Sequence, residues 1–306
     1  MSTFTRSDCQ KLAEAVLSAD TISEAADCVY LQLQKLAEAG APNTRGSWRD
    51  YLNRFHAWLL RGAAYDEVPF SIFAKGNGKL PYWSFSALPG ITCPGAGDCL
   101  EYCYSFRAWR YPAAFLRQLQ NTFLMRTEKR REIIAAAFRA LPEDSIVRLY
   151  VDGDFACVDD VHFWFALLIH HRSDVRAYGY SKSWRELLAW CFQYAGGDPK
   201  RYPQNYVLNV SGGSCHDAQL REAVLQLPFS RHVFEAVNIP GSADIPRGNA
   251  RYDSREYHAQ TRDAYKSRTG QLPFSCPGNC GDCRVSAGIH ACGDISFRLP
   301  IVNGVH

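Results

Sequence analysis

Three cysteines, Cys93, Cys99 and Cys103, fall within eleven residues of a 306-residue chain, in the run TCPGAGDCLEYCYSF. Their spacing is C-x5-C-x3-C, on a stretch that Pro94, Gly95 and Gly97 keep from becoming a helix or strand. Such a loop can turn its sulfurs toward one centre, and three thiolates with an open fourth position suit a 4Fe-4S cluster whose unique iron binds a substrate or cofactor. A second group, Cys276, Cys280, Cys283 and Cys292, is spaced C-x3-C-x2-C-x8-C. Four thiolates can close a tetrahedral zinc site or ligate all four irons of a 4Fe-4S cluster, and spacing does not separate the two. His290 is an alternative donor to Cys292. One centre or two are both open, because part of the second group could complete the first.

The remaining five cysteines divide by context. Cys9, Cys28 and Cys191 sit in helix-like segments and read as small buried hydrophobes. Cys157 and Cys215 follow strand-like segments. Twelve cysteines in 306 residues fall well short of the roughly 8–10% that marks a disulfide scaffold. The first residues, MSTFTRSDCQKLAEAVL, lack the pattern of a secretory signal, and no run of about 18 apolar residues occurs. A cytoplasmic protein without a membrane span is expected, where clustered cysteines serve metals or catalysis. With 47% hydrophobic and 21% charged residues the chain can bury a large core, and a net charge of +3 does not by itself call for nucleic acid.

The elements that must hold these loops follow from periodicity. Residues 1–65 read as an N-terminal helical region, with caps at Thr21 or Ser23 and Ser47 and stops at Gly40 and Gly62. Residues 66–240 form the core. There, strand-like runs at Tyr82–Leu88, Ser145–Val151, Val175–Tyr180, Tyr206–Val210 and His232–Val237 are joined, after a helix over 113–141, by helices of about a dozen residues. Repeated strand and helix argue for parallel βαβ units, hence an α/β protein with a complete or partial β/α barrel. Residues 241–306 add a polar helix from Ser254 to about Arg268 and a Gly- and Cys-rich knuckle, read as organised by metal and outside the core.

In a β/α barrel the carboxyl ends of strands converge on the active site. That rule collects Asp152, Gly153 and Asp154, then Ser181, Lys182 and Ser183, then Ser211 to Ser214. Gly153 allows close backbone approach, Asp154 can accept from an ammonium or hydroxyl, and Lys182 can pair with a substrate anion. Gly153, Asp154, Ser181, Lys182 and Ser211 are the candidate cofactor-binding residues. Residues 107–139 hold eight Lys and Arg against two Glu, interleaved with aromatics, a candidate nucleic-acid contact.

The block from Lys75 to Met125, with its TCPGA-x2-C-x3-CY core, Asn121, Gly153 to Phe155 and Tyr180 to Ser183, resembles the gene product 88 family of phages and plasmids. That family is similar in turn to radical S-adenosylmethionine enzymes. The resemblance implies a radical-enzyme-like barrel in which Cys93, Cys99 and Cys103 hold a 4Fe-4S cluster and Gly153 and Asp154 meet the methionine moiety of S-adenosylmethionine. It also implies an auxiliary centre at the four-Cys segment. The loop departs from the usual C-x3-C-x2-C of those enzymes. Two functions stay open: an iron-sulfur enzyme with S-adenosylmethionine as candidate cofactor, and a non-catalytic, metal-stapled accessory factor that binds DNA or protein.

Overall fold

The computed structural model describes residues 4–64, 68–77, 79–240, 245–246, 248–280, 282–286 and 289–305. The chain forms two compact units, one made of residues 1–73, 86–89 and 103–140, the other of 74–85, 90–102 and 141–306.

The first unit is helical. Its helices are α1 (Arg6–Ser18), α2 (Ile22–Glu38), α3 (Trp48–Leu60), α4 (Pro112–Met125) and α5 (Glu128–Arg139). Thr5 caps α1 in a reciprocal pair with Asp8, and the hydroxyls of Thr21 and Ser47 accept from the third residue beyond them at α2 and α3. Apolar stripes on these helices bury Leu12, Val29, Leu52, Phe55, Trp58, Phe115 and Phe123. Helix α4 is buried all round at Gln118 to Met125, which the polar residues tolerate because each has a partner. Gln120 exchanges two hydrogen bonds with the backbone of Phe70, and Asn121 Nδ2 donates to Ile72 O and Ser86 O at 3.2 and 3.0 Å. Leu88 N donates to the Thr122 hydroxyl at 2.9 Å. Asn121, one of the residues that carried the family resemblance, thus pins the segments on either side of the first strands.

The second unit is built on a sheet. Its strands are β1 (Ala74–Asn77), β2 (Leu80–Ser84), β3 (Ile146–Leu149), β4 (Arg176–Ser181), β5 (Tyr206–Ser211), β6 (Ser230–Asn238), β7 (Phe274–Ser275), β8 (Arg284–Ser286), β9 (Ile289–His290) and β10 (Ile301–Val305). Eight of them form one sheet in the order β1-β2-β3-β4-β5-β6-β10-β7, and β8 and β9 make a separate antiparallel pair. Every pairing in the large sheet is parallel except β1 with β2. The crossovers carry α6 (Val158–Ala166), α7 (Trp184–Gln193), α8 (Ala218–Leu225) and α9 (Arg255–Thr269).

The expected βαβ alternation is present, and the closed barrel is not. Among the described residues no pairing joins β1 to β7, so the sheet is open with those two strands as edges. One edge is an antiparallel arm and the other a strand of two residues, a combination that cannot supply the staggered register that closure demands. The two faces differ. Val147, Leu149, Leu208, Val210, Val233 and Val302 point one way, the last two into a cluster with Tyr257 and Tyr265 of α9. Tyr82, Tyr178, Tyr180, Val207, Phe234 and Ile301 point the other way, where the alternation of the strands sets them against Ala291, Cys292, Cys276 and Cys283. The knuckle is therefore core. Cys292 is 6% exposed, and β10, which the sequence reading left out, lies inside the sheet.

Candidate functional site

The loop with Cys93 and Cys99 lies across the carboxyl ends of β4 and β5, and three glycines make that approach. A Cβ on Gly95 would stand 1.7 Å from the Lys182 carbonyl oxygen, and one on Gly97 would stand 2.8 Å from Cys215 N. A Cβ on Gly213, at φ +73°, would meet the Tyr102 hydroxyl first and then the Cys99 Cβ, 3.1 Å away. Hydrogen bonds close the junction: Gly97 N and Cys99 N donate to Gly213 O, and Cys215 N donates to Gly95 O at 3.1 Å. The Ser214 hydroxyl donates to Gly95 O at 2.9 Å. Cys93 and Cys99 are half-buried there, and Cys215 is exposed beside them. Cys103 belongs to the first unit, where it precedes the 3-10 turn Tyr104–Arg110.

Next to this loop the strand ends hold a polar network. Asp154 is 4% exposed, and its carboxylate accepts from Ser181 Oγ at 2.7 Å, Lys182 N at 2.7 Å and Phe155 N at 2.9 Å. Burial still raises its pKa above the ordinary aspartate value, against the lowering effect of those donors. Thr92 Oγ1 accepts from Asp154 N at 3.3 Å, linking the network to the cysteine loop. Lys182 Nζ donates to Ser211 Oγ at 2.7 Å. Gly153 has φ +80°, and Tyr150, three residues earlier, takes φ +54°, a costly conformation for a non-glycine residue. Gly153, Asp154, Ser181, Lys182 and Ser211 are thus brought to one end of the parallel strands. Asp154 spends its acceptors fastening β3 to β4, and beside it the half-buried Lys182 reaches the buried Ser211 hydroxyl.

The second cysteine group sits on the opposite sheet face, woven in by backbone. Cys276 N donates to Val302 O and Cys280 N to Lys79 O, at 2.8 and 2.7 Å. Asn209, fully buried on β5, donates to Cys292 O at 2.9 Å and to Gly179 O at 3.1 Å. Its Oδ1 accepts from Arg231 Nε at 2.8 Å, and Arg231 also donates to Phe297 O and Leu299 O. Burial pushes the Cys276 thiol up to about 11 and Cys292 up to about 12, and raises Cys280 as well. The Tyr178 hydroxyl points at the Cys280 sulfur, 3.8 Å away. His290 is buried, not solvated as a loop histidine would be. Its ring lies 4.9 Å from Tyr82 and 4.3 Å from Tyr178, and burial lowers its pKa to about 4.

Among the described residues no three His, Cys, Asp or Glu side chains converge closely enough to hold a metal ion. The donor chemistry itself fits a thiophilic centre: thiols dominate both groups, although Asp282 stands between Cys280 and Cys283 and His290 lies two residues before Cys292 in the buried one. Burial makes the thiolate form costly at these cysteines, and a bound cation would offset that cost. Asn209 and Arg231 were missed by the sequence reading; their signal is a polar residue at an inward position of an apolar strand. Of the other cysteines, Cys9 and Cys191 are buried, Cys28 is half-buried, and Cys157 and Cys215 are exposed.

In the basic stretch much of the charge is used internally. Arg131 Nε donates to Met125 O, Arg130 lies 4.3 Å over the Phe123 ring, Arg139 pairs with Glu132, and Arg117 is half-buried. Among the described residues no helix is long and apolar enough to cross a membrane.

Fold and sites together define an α/β protein with a mostly parallel open sheet, a glycine-packed cysteine loop at its strand ends and a cysteine-rich segment on one face. The chain belongs to the gene product 88 family, whose model matches residues 58–288. Neither the curated proteins nor the solved structures yield a match.

Proposed function

We propose that this protein is an iron-sulfur enzyme whose reacting ligand binds at the carboxyl ends of β3, β4 and β5. The observation that supports it most is the glycine-packed junction that lays Cys93 and Cys99 against β4 and β5, beside Asp154, Lys182 and Ser211. Cys93 and Cys99, with Cys103 as the third thiolate from the sequence spacing, would hold a 4Fe-4S cluster. Such a cluster supplies electrons and an open iron site. The chain's own residues do the positioning. Asp154 locks the turn after β3 to β4, and the Lys182 ammonium presents positive charge to a carboxylate such as that of S-adenosylmethionine. Cys276, Cys280, Cys283 and Cys292 would hold a second, structural centre, either iron-sulfur or zinc.

Anaerobic purification followed by iron, zinc and acid-labile sulfide analysis tests this reading. About four irons with matching sulfide per cluster, reduced when Cys93 and Cys99 become Ser, is the expected result. Zinc without sulfide overturns the iron-sulfur reading. A cluster-bearing protein that shows no equilibrium binding of S-adenosylmethionine removes that ligand and keeps the cluster.

A further inference from the structure

Helix α9 places Arg255, His258, Ala259 and Arg262 at i, i+3, i+4 and i+7, hence on one face. Opposite them stand Phe274 and Ser275 of β7, then Pro277, Asp282 and Cys283. Between the two walls runs a groove of about 610 Å³. Of the residues given a role above, it holds Cys283 and none of those at the strand ends.

The His258 ring is held in place by both nitrogens: it donates Nε2–H to Tyr252 O at 2.8 Å and shares a hydrogen bond through Nδ1 with the Ser275 hydroxyl at 2.7 Å. The permanent cations of the groove are the two arginines, and among the described residues neither guanidinium takes part in a hydrogen bond or ion pair. Asp282 supplies one opposing charge from the far wall, leaving an excess of one positive. Seven residues separate the arginine Cα atoms by about 10 Å along the helix axis, a gap two long side chains can close on a single anion. Three peripheral oxygens let a phosphate accept from two planar forks at once, which a carboxylate does less well. Phe274, Pro277 and Ala259 add an apolar wall for the rest of the molecule.

We infer that this groove is a binding site for a phosphate monoester with an apolar body, held at its head by Arg255 and Arg262 and at its body by Phe274. The groove shares Cys283 with the second centre proposed above but nothing with the loop at the strand ends, and phosphate-ester binding and metal content are read separately, so the failure of one is distinguishable from the failure of the other.

Calorimetric titration of the full-length protein with phenyl phosphate, inorganic phosphate and phenol tests it. Phenyl phosphate should bind one to one and more tightly than either inorganic phosphate or phenol. R255A/R262A should weaken it at least about tenfold, with an unchanged unfolding midpoint. R255K/R262K, which keeps charge and loses the fork, should fall between the two. F274A should narrow the gap between phenyl and inorganic phosphate. Absence of saturable phenyl phosphate binding overturns the site, as does equal affinity in R255A/R262A. If inorganic phosphate binds as tightly as the ester, the apolar wall has no role and the ligand class is wrong.

Discussion

The two cysteine-bearing regions of the sheet unit solve opposite problems. At the strand ends, backbone meets backbone through Gly95, Gly97 and Gly213, and the thiols of Cys93, Cys99 and Cys215 stay within reach of solvent. On the sheet face, Cys276, Cys283, Ala291 and Cys292 are packed among Tyr178, Tyr180, Phe234 and Ile301, and burial drives the Cys276 and Cys292 thiols toward the protonated state. A ligand can approach the first region without disturbing the core, whereas nothing can approach Cys292 without opening it. Reactivity belongs with the former and cohesion with the latter.

The contrast can be broken most severely at Gly95. A G95A substitution puts a methyl group into the Lys182 carbonyl, where no flexible side chain can give way, so either the loop lifts and loses its bonds from Ser214 and Cys215 or the β4 end moves. A loss of about 3 kcal/mol is expected in urea unfolding. A loss under about 0.5 kcal/mol would show that the close approach is dispensable. Next in size is thiol reactivity. In the native protein, iodoacetamide should label Cys215 at least about 100-fold faster than Cys292, as read by peptide mass spectrometry. Comparable rates would mean that the sheet-face segment opens as readily as the loop.

The smallest effect concerns the helix-facing side of β5. The Tyr206 hydroxyl, over Gly179, is buried and among the described residues has no hydrogen-bond partner. Because nothing is lost with it, Y206F should leave stability unchanged or raise it by up to about 1 kcal/mol. A clear destabilisation would reveal a partner, such as an ordered water, that restores the polar balance there.

Local pattern made the parallel strands legible, because β3, β4, β5 and β6 each read as apolar runs between turn residues. It also put Asp154, Lys182 and Ser211 at their ends. Closure of the sheet was not legible, since it depends on whether the first and last strands meet, and nothing local to either reports that. Strand β10 escaped for a related reason. Its sequence, IVNGV, follows a Gly- and Cys-rich tract and contains Asn and Gly, yet its partner β6 lies more than 60 residues earlier. The glycines of the cysteine loop looked like ordinary loop residues. Their necessity comes from Lys182 and Cys215, remote in sequence, and so does the burial of His290 between two tyrosines.

The position of β10 bears on the order in which this protein can assemble during synthesis. Among the described residues β7 pairs only with β10, and β6 presents an open edge until β10 arrives between them. The ribosome must therefore deliver residues up to Val305 before one side of the sheet can form. Until then the emerging chain carries an unpaired β6 edge and a set of uncovered tyrosines that would bind unselectively to neighbours. A late strand of five residues is thus the latch of the whole unit, and a nascent chain stalled before it would be the form most in need of a chaperone.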